Sequence, residues 1–88
     1  MHITPENIDE LEAESTRIAC ATVRFLFARY RGLTAEQMNL LAEADGTRTA
    51  ANAAIVSGEP EAHILVEKYE QAVATAIAAG VARERLSL

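Results

Sequence analysis

The chain has 88 residues, with 13 acidic side chains against 8 basic ones and a single cysteine. It is therefore expected to be one domain over residues 1–88, without an internal disulfide, and its charge of −5 argues against phosphate-backbone binding as its main task. Half of the residues are apolar, but 18 of these are alanine and the aromatic ones are Phe25, Phe27, Tyr30 and Tyr69. Alanine favours helix far more than it fills space, so the core of one chain is expected to be thin.

Thr4-Pro5-Glu6 opens the first helix: threonine caps free amides, proline takes the tolerated first position, and Glu6, Asp9 and Glu10 complement the helix dipole. This helix is predicted over about 5–31, with Gly32 as its stop. Leu33-Thr34-Ala35-Glu36-Gln37-Met38 follows, with capping-box spacing from Thr34 to Gln37 and with Leu33 and Met38 placed for a hydrophobic staple. It is the most specific local signal in the chain. A short second helix is predicted over about 35–44, closed by Asp45-Gly46 with glycine as a left-handed cap. Thr47 starts a third, alanine-rich helix over about 48–57, which ends at Ser57-Gly58. Glu59-Pro60-Glu61 repeats the proline signal and opens a fourth helix over about 60–85, with Gly80 as the weak point inside it. No β-type alternation, repeat or long linker interrupts this plan. The predicted fold is all-α, a small four-helix bundle in which two long antiparallel helices flank two short ones.

At about 100° per residue, the large apolar side chains from Ile8 to Tyr30 spread over roughly 220° of the first helix. Phe25 and Phe27 point in nearly opposite directions, so one packing layer cannot bury both. A second subunit is expected to cover what remains, with Val23, Phe27 and Tyr30 as its contacts. On the fourth helix Ala72, Ala76 and Gly80 lie four apart, which permits close approach of another backbone. Core packing explains this spacing, and a dimer seam is the sharper alternative.

Arg17, Arg24 and Arg31 recur every seven residues along the polar arc of the first helix. Arg24 and Arg31 have no acidic residue three or four positions away. Either the early glutamates of the fourth helix pair with this stripe across the bundle, or it docks an acidic surface of a partner protein.

A helix-turn-helix reading places Arg48, Thr49 and Asn52 towards DNA. It fits poorly, because Asp45, Thr47 and Asn52 occupy positions that this motif fills with apolar residues, and the chain is acidic. Length and acidity are similar to those of acyl carrier proteins, but none of Ser15, Ser57 and Ser87 stands in an Asp-Ser-Leu context. Small helical chorismate mutases have a similar length and long first helix, yet their sites gather several cations, and Lys68 is the only lysine here. His2 and His63 have no companions at metal-ligand spacing, and Glu12 points away from Glu10 and Glu14. No catalytic residue, cofactor or metal site is therefore expected.

The first residues lack the basic and apolar regions of a signal peptide, and no apolar run approaches the ~18 residues that span a bilayer. A cytoplasmic location follows, with Cys20 as a buried thiol. By elimination, the expected function is a non-enzymatic protein-interaction module: an adaptor, inhibitor, anti-activator or immunity-type protein that is itself a homodimer. A DNA-binding regulator is the runner-up, and a small helical enzyme acting on an anionic metabolite comes third.

Overall fold

The Thr34 capping box nucleates the longest element of the protein. In the computed structural model, which describes residues 2–15 and 20–86, the Thr34 hydroxyl accepts from the Gln37 amide at 3.2 Å, and the Gln37 side chain accepts from the Thr34 amide at 3.0 Å. Two donors that the first helical turn leaves open are thereby satisfied. Leu33 and Met38 both join the core on either side of this box.

Among the described residues the regular structure is entirely helical: α1 (Ile8–Ser15), α2 (Cys20–Ala28), α3 (Ala35–Val56), α4 (Ala62–Ala78) and α5 (Arg83–Leu86). Helix accounts for 74% of the described residues, as the succession of capped segments predicts. The four-helix plan is corrected in three places.

The two short helices expected over 35–44 and 48–57 are one continuous helix, α3. Gly46 does not take a left-handed conformation. The Thr47 hydroxyl donates back to the Glu43 carbonyl at 3.0 Å instead of capping a new helix. A glycine inside a helix costs only about 1 kcal/mol against alanine, and packing along the length of α4 outweighs it.

The segment expected as one helix over 5–31 contains α1 and α2, and α2 folds back on α1. Arg31 forms ion pairs with Asp9, at 2.6 Å, and with Glu12. A straight helix would hold residues 9 and 31 about 33 Å apart.

The fourth helix stops at Ala78. Gly80, with φ +96°, turns the chain out of the helix, and the Val81 amide donates back to the Ala76 carbonyl at 3.0 Å.

α3 and α4 form an antiparallel hairpin across residues 57–61. Its open end is closed by Gln37, whose side-chain amide donates to the Ala79 carbonyl at 2.9 Å. The core lies at that end: Met38, Leu41 and Ala44 of α3 meet Ala76 of α4, Val81, Leu86 of α5, Ile8 of α1 and Tyr30. Ala76 has no exposed surface, which is what lets the two backbones approach.

Candidate functional site

Seven residues beyond Met38 and Leu41 on the same stripe of α3 stand Asp45 and Arg48. They face Arg29 and Tyr30, which follow α2, and the last residues of α5. Asp45 accepts from both terminal nitrogens of Arg29, at 2.9 and 2.7 Å, from the Tyr30 hydroxyl at 2.8 Å and from Arg48 at 3.2 Å. Arg29 uses its Nε to reach the Arg85 carbonyl at 2.8 Å, while Arg85 donates to the carbonyls of Arg29 and Arg31 at 2.8 and 2.7 Å. Arg48 also reaches the Leu86 carbonyl at 3.5 Å. Burial, followed by the hydrogen bond to Asp45 and its negative charge, pushes the Tyr30 hydroxyl well above the usual phenol range, against the opposing charges of Arg29 and Arg48.

This network ties three distant stretches of chain together. Its carboxylate accepts four hydrogen bonds from three residues, and no buried side-chain nitrogen or oxygen among the described residues lacks a partner. Such saturation fixes the relative positions of these stretches. The reading of the sequence missed this cluster, because Asp45 was assigned to a turn. Opposite charges at i and i+3 on the buried stripe of one long helix are the signal that reveals it.

An open groove of about 450 Å³ runs between α3 and α4, lined by Leu40, Glu43 and Thr47 on one side and by Lys68, Gln71 and Thr75 on the other. Among the described residues no three His, Cys, Asp or Glu side chains come close enough to hold a metal ion, and no described helix is long and apolar enough to cross a membrane.

The arginine stripe is divided. Arg31 pairs with the carboxylates of α1, not with the early glutamates of α4, because the fold-back of α2 brings Asp9 and Glu12 to it. Arg24 is exposed and makes no ion pair with a described residue. Arg17 and the side chain of Cys20 lie outside the described residues.

Of the residues assigned to a dimer seam, Tyr30 and Ala76 are buried within the chain itself, Val23, Phe27 and Ala72 are half-buried, and Gly80 is exposed. The Ala72-Ala76 spacing serves the packing of α4 on α3. Of the residues assigned to DNA, Arg48 is engaged with Asp45, and the Thr49 hydroxyl donates to the Asp45 carbonyl at 3.0 Å. Asn52 is exposed. The turn that the motif requires at Gly46 is absent, because α3 passes straight through it.

Among the described residues the exposed large apolar side chains fall in two places. Phe25 and Leu26 are neighbours on α2, whereas Ile55, Val56 and Ile64 gather at the tip of the α3–α4 hairpin, with Val56 87% exposed. No protein family, curated protein or solved structure matches this chain.

Proposed function

We propose that the protein is a non-enzymatic protein-interaction module that docks a partner with the tip of its α3–α4 hairpin. The carrying observation is the exposure of three large aliphatic side chains, Ile55, Val56 and Ile64, within the last two residues of α3 and the first three of α4. Aliphatic side chains that face water together mark interaction sites on otherwise folded proteins. The rest of this tip is polar: Glu59, Glu61 and His63 are exposed around it. The partner is therefore a protein whose apolar cleft is rimmed by lysine and arginine, since acidic rims steer such partners and set register more than they add affinity. The saturated Asp45 network supports the non-enzymatic part of the proposal, because it ties the middle of α3 to the segment after α2 and to α5 and offers no reactive group.

The test uses Val56→Asp, an exposed position at which helix content should survive. The partner is captured from host cells with the wild-type chain, purified, and titrated against both forms. Loss of affinity by tenfold or more in Val56→Asp, with a weaker salt-sensitive loss in the double variant Glu59→Lys with Glu61→Lys, supports the reading. Equal binding by the wild type and Val56→Asp overturns it.

A further inference from the structure

We infer that α2 is the seam of a homodimer and that the surface covering Phe25 and Leu26 is a second copy of this chain.

The first ground is the composition of α2 against its surroundings. Cys20–Ala28 carries one charge, Arg24, among nine residues. A helix so uniformly apolar is normally enclosed. Yet α2 packs chiefly on α1, and among its described side chains only Phe27 joins the core. Phe25 remains 57% exposed and Leu26 37%.

The second ground is area. The chain exposes 5839 Å², whereas a compact monomer of 9.5 kDa exposes about 5,000 Å². This excess, spread over the whole chain, is of the size that each partner contributes to an interface of standard size, about 800 Å². The radius of gyration agrees: 13.9 Å against about 12 Å for a compact domain of this length.

The third ground is charge. Arg24 on α2 has no ionic partner among the described residues, and Glu10 and Glu14 on the neighbouring α1 are likewise exposed and unpaired with any described residue. The packed pair α1 and α2 thus carries exposed apolar side chains, an unpaired cation and unpaired carboxylates among its described residues. A two-fold interface presents the same patch twice and can match these opposites to each other. A partner of a single charge sign would satisfy only one of the two.

The seam and the hairpin tip are separate surfaces, so each proposal fails independently of the other. Sedimentation equilibrium of the full chain between 1 and 100 µM, on the order of a standard interface's affinity range, should report twice the chain mass at the upper end. Phe25→Ala keeps helix propensity and removes the ring. Because a two-fold interface carries each substitution twice, it should weaken dimerisation by at least about tenfold with an unchanged far-ultraviolet circular dichroism spectrum. Val56→Asp should leave the mass unchanged. A wild type that is monomeric at 100 µM overturns the inference, as does a dimer that survives Phe25→Ala and Leu26→Ala together. A monomer that floats with phosphatidylcholine vesicles would put lipid on α2 and overturn it too. If Phe25→Asp unfolds the chain, the two alanine variants still decide the matter.

Discussion

Arg29 and Asp45 meet fork to fork, Nη1 to Oδ2 at 2.9 Å and Nη2 to Oδ1 at 2.7 Å, with the guanidinium only 6% exposed and the carboxylate 24%. A buried arginine is tolerated only while its charge is matched and its donors are used. Here the carboxylate provides the first, and the Arg85 carbonyl completes the second. The segment after α2 is therefore held to the middle of α3 by electrostatics, where α2 itself has little apolar contact with the hairpin.

Asp45→Ala strands that guanidinium and should lower the unfolding free energy by about 3 kcal/mol, the low end for a broken buried pair because Asp45 retains some solvent. Asp45→Asn keeps an acceptor and should lose less. Urea titration of both variants measures the difference. A loss below about 1 kcal/mol for Asp45→Ala would show that water replaces the carboxylate at no great cost.

Tyr30 gives the network a pH dependence at its alkaline side. Its ionisation is raised above the ordinary value of 10.0, so beyond about pH 10 the unfolded chain releases a proton that the folded chain still holds. The stability that Tyr30 contributes is complete below pH 10 and is lost progressively as the pH rises above it. Tyr30→Phe should cost about 1 kcal/mol at pH 7 and should flatten this decline between about pH 10 and 11. An unchanged alkaline slope in Tyr30→Phe would assign the decline to other groups.

How far these features are legible in the sequence depends on whether the deciding interaction is local. Thr34, Gln37 and the staple pair Leu33 and Met38 lie within six residues, and the structure forms the box that their spacing predicts. Gly46 is a local signal as well, but the outcome there is set by α4 packing along α3, which no pattern around residue 46 records. The reversal of α2 against α1 brings Arg31 to Asp9 and Glu12, a contact across about twenty residues with no periodic trace. Asp45 and Arg29 are 16 residues apart and belong to different elements. Only after α3 is read as one helix does Asp45 fall on the buried stripe and call for a cation. That Phe25 and Phe27 point apart was legible, but which of them meets the core was not: Phe27, assigned to a dimer seam, packs against the core of its own chain, and Phe25 stands in water.

Arg24 and Arg31 should behave differently although they share a helical register. Arg31 bridges Asp9 and Glu12 but is 43% exposed, so Arg31→Ala should lower stability by no more than about 1 kcal/mol, and less in high salt. Arg24→Ala should change the monomer's stability by less than about 0.5 kcal/mol. Thermal melts at low and high ionic strength, made at a protein concentration below that of association, compare the two. A salt-sensitive loss in Arg24→Ala larger than that in Arg31→Ala would contradict the pairing seen here.

Two glycines in helical sequence contexts should respond to alanine with opposite signs. Gly46 lies inside α3 without a left-handed backbone, and a Cβ built on it meets no heavy atom within 4 Å. Gly46→Ala adds helix propensity, restricts the unfolded chain and displaces nothing, so it should stabilise by about 1 kcal/mol and raise Tm by about 4–8 °C in a domain of this size. Gly80 holds φ at +96°, and its Cβ would come within 3.1 Å of the Gln37 Nε2 that caps the Ala79 carbonyl. Alanine there meets backbone strain of about 1–2 kcal/mol and also crowds the contact that closes the α3–α4 hairpin. Gly80→Ala should therefore lower Tm by at least as much as Gly46→Ala raises it. The pair separates the two architectures: if α3 were two helices with Gly46 as a left-handed cap between them, Gly46→Ala would destabilise as Gly80→Ala does.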